Sequence, residues 1–258
     1  MAFYRDAAGS SGLTSATMLM GSYKLTSGFA PMVRLGLVTD QAPVAAGAAS
    51  KTTAAFLNPV LGGTYLFKLT PELRLSAFVG VTLPIGSGGG GWPAAKAPAE
   101  YQAQAAGVWA RSAMDNAMFA VNYLGVTPGL SLAFVKWGFT AQLEATVIVL
   151  GRVRGDPAQE KDDSRVNLTG GLHLGYFIIP QLSIGAEVRM QRWLSTPAAL
   201  AKDPSKLQTV TFAAGPRGHF QLAPSVFIRP GLSYSRAFDA PMARSDHQIL
   251  QIDVPVFF

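Results

Sequence analysis

Apolar and polar positions alternate every two residues in segment after segment of this chain. Successive side chains of a strand point to opposite faces, so this alternation predicts strands with one apolar and one polar or mixed face. Over 73–85, Leu73, Leu75, Ala77, Val79, Val81, Leu83 and Ile85 oppose Arg74, Ser76, Phe78, Gly80, Thr82 and Pro84. Over 139–149, Phe139, Ala141, Leu143, Ala145, Val147 and Val149 oppose Thr140, Gln142, Glu144 and Thr146. Over 182–190 the polar face is Ser183, Gly185, Glu187 and Arg189. The final stretch, His247 to Phe258, places Leu250, Ile252, Val254, Val256 and Phe258 on one face and stops on an aromatic.

Extended along the chain, the pattern predicts strands near 15–25, 31–39, 53–69, 72–85, 116–126, 130–152, 165–178, 182–193, 207–221, 225–236 and 247–258. A weak repeat punctuates them: a proline, then an apolar residue two positions on, then alternation. Its copies begin at Pro31, Pro71, Pro128, Pro180 and Pro224. Proline has no ladder donor and a fixed φ, so each copy predicts a short turn or the first residue of a strand. The opposite connections are long: Asp40 to Lys51, Gly86 to Met114, Arg154 to Ser164, Ser195 to Ser205 and Phe238 to Ser245. Short turns at one end and long loops at the other predict an all-β, antiparallel, up-and-down transmembrane β-barrel of about 11–12 strands. A two-sheet sandwich also has an apolar face but less reason to segregate its connections. The segment 130–152 exceeds one span, and its parity breaks at Lys136-Trp137-Gly138. A bulge would explain this, but the preferred reading assigns Leu130 to Val135 to an enlarged turn and the membrane strand to Phe139–Val149.

Composition sharpens the class. Of 258 residues, 49% are hydrophobic and only 14% charged, with a mean hydropathy of +0.25. Soluble domains carry roughly 25% charged residues. No apolar run approaches the roughly 18 residues that mark a candidate spanning helix. A wall in which only alternate residues meet lipid produces this combination. There is no cysteine, so disulfides and thiolate metal sites are excluded. The net charge is +6, but Lys and Arg are scattered singly, which argues against nucleic-acid binding.

Parity also assigns the lumen. Lys24, Arg34, Lys68, Arg74, Arg189, Arg217 and Arg229 point inward, with Gln142, Glu144, Glu187 and Asp253 and the histidines His173 and His219. Two readings are open: a paired, hydrogen-bonded filling of the lumen, or a wet passage whose basic excess favours anionic solutes, with Arg34, Arg74, Arg189 and Arg229 as the leading lining candidates. The loop from Gly86 opens with Gly86-Ser87-Gly88-Gly89-Gly90-Gly91, which lacks the Lys-Ser/Thr of a phosphate loop and reads as a flexible surface loop. Its Ala-rich part, 99–113, predicts a short helix that lies over the mouth or folds into the lumen. No enzyme, metal or cofactor is expected. There is no Gly-x-Ser-x-Gly elbow and no His-x-x-x-His spacing, and a Ser–His pair would need a serine beside His173 or His219 with an orienting acid. Ser245-Asp246-His247 reads as a polar loop end.

The terminal strand ending in Phe258 resembles the C-terminal strand of Gram-negative outer-membrane β-barrel proteins, and the whole chain is similar to that class. Val81-Thr82-Leu83-Pro84-Ile85-Gly86 before a Gly-rich loop, with the proline-opened strands, looks loosely like the channel-type barrels of the phenol-degradation outer-membrane family. The resemblance implies one barrel domain in the cell outer membrane, acting as a passive channel or transport-type protein. A closed barrel displaying surface loops and a lipid-modifying enzyme are the alternatives. It also implies outer-membrane lipid and lipopolysaccharide as surroundings, and the outer-membrane assembly machinery as the reader of Phe258. Because such barrels have even strand numbers, the eleven segments found suggest a twelfth strand and a signal peptide upstream of Met1, with Met1 to Leu13 as an extracellular loop.

Overall fold

The computed structural model describes residues 1–6, 8–44, 50–92, 97–158 and 160–258. Its strands are β1 (Ala2–Arg5), β2 (Ser11–Ser22), β3 (Phe29–Gln41), β4 (Thr52–Phe56), β5 (Val60–Lys68), β6 (Leu73–Thr82), β7 (Tyr123–Lys136), β8 (Phe139–Arg152), β9 (Ser164–Ile179) and β10 (Leu182–Trp193). They continue as β11 (Gln208–Gly218), β12 (Phe220–Ala223), β13 (Val226–Ile228), β14 (Gly231–Ala237), β15 (Gln248–Asp253) and β16 (Val256–Phe257). Several are halves of one staved strand. β3 pairs first with β4 and then with β5, and β11 with β12, β13 with β14, and β15 with β16 run on in the same way. Pro59, Pro230 and Pro255 sit in three of these breaks, where each removes a ladder donor. Antiparallel neighbours follow chain order, and β1 pairs with β15 at Ala2↔Ile249, closing a 12-strand up-and-down barrel.

The first strand corrects the expectation for Met1 to Leu13. Ala2–Arg5 is the twelfth stave, paired on both sides, and β2 starts at Ser11. The connection between them is a tight turn in which Asp6 Oδ1 accepts from Ser10 N at 2.7 Å and Ala8 N at 3.0 Å. Lys24 is not in the wall: β2 ends at Ser22, and Lys24 is exposed in the turn before β3.

The segment 116–152 departs furthest from expectation. Asn116–Phe119 is a helical turn, and the strand from Tyr123 runs unbroken to Lys136. Pro128 is therefore mid-strand, opposite Val79, and marks no turn. The register with β8 passes from Val126↔Val149 to Gly129↔Thr146, which leaves the proline without a ladder partner on the side where it has no donor. Leu130 to Val135 belongs to β7, so neither a bulge nor an enlarged turn exists. Trp137 (φ 52°) and Gly138 (φ 77°) close a two-residue hairpin, with Lys136 paired to Phe139. Of the other proline copies, Pro71, Pro180 and Pro224 lie in turns and Pro31 is the third residue of β3.

Outward-facing positions are apolar and exposed, among them Leu61, Val79, Leu130, Leu143, Ile184 and Ile252. Aromatics gather on that face at the turn end, where Phe29 pairs with Tyr65, Phe139 with Tyr176, and Lys136 Nζ lies 4.7 Å from the Trp137 ring centre. An apolar band edged by an aromatic girdle is what a lipid bilayer selects. No helix among the described residues is long and apolar enough to cross a membrane.

Candidate site: the plugged lumen

The β6–β7 connection turns into the barrel. Helix α1 (Ala99–Ala110) lies on the inner wall, where Ala103 packs with Val38 of β3, Ala55 of β4 and Val60 of β5. Helix α2 (Asn116–Phe119) follows, and its Met118 and Phe119 complete the same cluster. Alanine and glycine let the helix lie flat on the wall. A Cβ on Gly107 would stand 2.6 Å from Phe119 Cε1 and 2.7 Å from Val38 Cγ2. On the far side of α1, Ala110 packs with Ala2, Met242 and Ile249; Ala117 of α2 packs with Tyr123, Ile148 and Leu150. The plug thus touches the wall on nearly every side, and of the two placements open to the Ala-rich stretch the lumen is the one found.

Polar contacts fix it. Asp115, between the helices, binds Arg34 of β3 at 2.6 Å and Arg111 at 2.9 Å. Burial pushes the Asp115 carboxyl up, but Arg111 and Arg34 together outweigh that and hold it below the usual carboxylate range. Asn116 Nδ2 donates to Asn167 Oδ1 of β9 at 3.2 Å, across the lumen from Arg34. Asn58, in the β4–β5 break, donates from Nδ2 to Ala120 O and accepts at Oδ1 from Gly86 N, both at 2.8 Å. Arg154 ties the two ends of the loop, donating to Gly86 O at 2.9 Å and Val121 O at 3.1 Å.

The glycine run is not a free surface loop. A Cβ on Gly86 would meet Asn58 Oδ1 at 2.8 Å and one on Gly88 the Tyr101 N at 2.6 Å, while Gly89 and Gly91 crowd Arg154 and Asp156. Close backbone approach, not flexibility, is what these glycines permit.

The plug separates two cavities. Toward the loop end, about 350 Å³ is lined by Trp92, Tyr101, Asn122, Glu160, Asp162 and Arg165, with Lys161. Arg165 binds Glu160 at 3.2 Å and Asp162 at 2.9 Å, so one guanidinium is shared between two carboxylates. Toward the turn end, about 250 Å³ is lined by Gln142, Glu144, Gly171, His173, Glu187 and Arg217. Glu187 pairs with Arg189 at 2.6 Å and Arg217 with Asp253 at 2.7 Å. A Cβ on Gly171 would come within 3.3 Å of Glu144 Oε1 and 3.6 Å of Glu187 Oε1, so the glycine keeps space open between the carboxylates. Glu144 has no ion-pair partner among the described residues.

The remaining predicted residues stand at the turn-end mouth. Lys68 and Arg74 are ladder partners on the inward face, exposed there. Arg229 lies over the Phe257 ring at 4.8 Å, and Arg217 Nη1 donates to its carbonyl at 3.0 Å. Ser183 Oγ and His219 Nε2 are 2.8 Å apart, but no carboxylate bonds the other nitrogen of His219 among the described residues; the ring packs on Phe177 instead. Sequence reasoning missed Asp115, Asn58, Asn116 and Asn167. Their roles depend on a loop entering the barrel, which no periodicity announces.

No family model and no curated protein matches the chain. Solved structures do. An outer-membrane channel from Pseudomonas putida F1 superposes with a TM-score of 0.60 at 12% identity, covering 99% of this chain and 90% of that one. The NanC porin gives 0.54 at 10% identity over 100% and 98% of the two chains, and the KdgM porin 0.50 at 10% identity over 100% and 99%. The chain has the fold of the outer-membrane channel and porin barrels.

Proposed function

We propose that the protein is a passive channel of the Gram-negative outer membrane for small solutes, with the 99–119 plug as its constriction. The observation that carries this reading is a polar lumen in which one inserted segment separates a vestibule at the loop end from a chamber at the turn end. A barrel serving only to display loops would gain nothing from keeping Glu144, Glu187 and Gly171 around open space. The neighbours of similar fold are described as an outer-membrane channel and porins, which supports the reading. Inward wall cations Arg34, Lys68, Arg74, Arg152, Arg165, Arg189, Arg217 and Arg229 outnumber the inward wall carboxylates Asp40, Glu144, Glu187 and Asp253, so anions are the favoured solutes. Among the described residues Ser183–His219 has no acid to orient the ring, as a catalytic triad would require. In this reading the β15–β16 strand ending in Phe258 is the segment offered to the assembly machinery.

Liposome swelling tests it. Vesicles holding the purified protein take up small sugars and sugar acids, faster for the acids, and exclude larger oligosaccharides. Absence of uptake at every size would overturn the channel and leave the closed barrel.

A further inference from the structure

The lipid-facing wall carries charge in few places. Among the described strand residues whose side chains face outward, the charged ones are Arg5, Lys136, Arg192 and Arg236, and none is acidic. Lys136 lies at the turn end and pairs with Glu72 at 3.3 Å. The other three all lie at the loop end, on β1, β10 and β14, within the unbroken run of neighbours β10–β11–β14–β15–β1. An outward arginine would cost roughly 2–4 kcal/mol at mid-bilayer but close to zero at the interface. The bilayer therefore accounts for their place at a rim, but not for their gathering on one arc.

The loops above this arc add to it. Lys206 and Arg244 sit on neighbouring loops joined by an Arg244 Nη1 to Ser205 Oγ bond of 3.4 Å. Nearby acids are already engaged: Asp203 accepts from Ser205 and pairs with Lys206, and Asp246 binds Arg236 at 2.6 Å and Gln248 Nε2 at 3.2 Å. Arg5 and Arg192 have no ion-pair partner among the described residues. The Arg236–Asp246 pair is well exposed, so it is weak and open to exchange for a stronger anion. Below Arg192 the wall is apolar: Val188 lies four residues down β10, in one ladder row with Phe212 of β11 and with Arg236 itself, and Leu232 and Tyr234 lie lower on β14.

We propose that this arc is a docking site for the lipid A portion of lipopolysaccharide. In barrels of this fold the long loops face outward from the cell, so the arc meets the leaflet whose headgroups carry phosphates on a sugar pair. Arginine matches phosphate with paired, charge-assisted hydrogen bonds. Arg192 and Arg236 take the phosphates, Lys206 and Arg244 close over the headgroup, and acyl chains lie on Val188, Phe212, Leu232 and Tyr234. The assignment stands whether or not the lumen conducts.

Native mass spectrometry of the full chain in detergent, titrated with bisphosphorylated lipid A, monophosphorylated lipid A or phosphatidylglycerol, tests it. Wild type should hold the bisphosphorylated form tightest. The Arg192→Gln/Arg236→Gln double variant should lose about a hundredfold in affinity for it, the equivalent of two charge-assisted contacts, while Lys136→Gln should match wild type. Equal binding of lipid A by the double variant, or equal binding of phosphatidylglycerol by wild type, would overturn the site. If the double variant does not fold, wild type alone decides. Failure to prefer two phosphates over one sinks the proposal.

Discussion

Asp115 of the inserted loop binds Arg34 of the barrel wall at 2.6 Å, and this contact joins the plug to the barrel at mid-lumen. Its strength depends on a carboxylate that must stay ionised. The folded pKa of Asp115 is lowered, so its contribution is complete above the ordinary aspartate value of about 3.9 and is lost as pH falls through the lower folded value. The plug should therefore stay seated from neutral pH down to about pH 4 and loosen below it. Asp115→Asn should behave at neutral pH as wild type does in acid. Conductance against pH for both proteins checks this; a wild-type rise already complete by about pH 6 would point to another group.

Gly107 predicts a plug defect that leaves the wall intact. A methyl there must displace Phe119 or Val38, and overpacking of this kind costs about 1–3 kcal/mol. Gly107→Ala should raise protease cleavage within 99–119 about tenfold or more, with heat-modifiable gel migration unchanged.

At the mouth, Lys68 and Arg74 oppose each other with no acid within ion-pair reach among the described residues. Reversing both, Lys68→Glu/Arg74→Glu, should move selectivity toward cations by about twofold or more in permeability ratio. Reversal potentials in a salt gradient measure it, and an unmoved potential would take these residues out of the path.

The Trp137-Gly138 hairpin gives a stability test. Gly138 has φ 77°, so Gly138→Val should destabilise the barrel by about 1–2 kcal/mol. The temperature at which the folded band disappears on a gel should drop accordingly.

Most of the wall was legible because a strand facing lipid on one side and polar lumen on the other leaves period-two alternation. The inward set on β6, β8 and β10 follows directly from it. What misled was proline. At 71, 180 and 224 it marks a turn, but Pro128 sits inside β7 because β8 drops two ladder positions beside it. That one misplacement hid the Trp137-Gly138 hairpin, whose tryptophan at positive φ gives no conventional turn signature. The short β1 was missed because its four residues are too few to show a period.

The plug was half legible. Ala-rich 99–113 announced a helix, and Arg34 was expected to face inward. Nothing local distinguishes a helix lying over a mouth from one inside it. The decision is made by Gly107, Asp115 and Asn58 acting together, and each meets a partner distant in sequence: Val38, Arg34, and Gly86 with Ala120.

Single-channel recording in planar bilayers, on wild type and on a variant with 99–119 replaced by a short Gly-Ser linker, tests whether the plug is the constriction of a conducting barrel. Wild type should give small, discrete steps, and removal of the plug should make them severalfold larger. No steps above background from either protein, or identical steps from both, would contradict it.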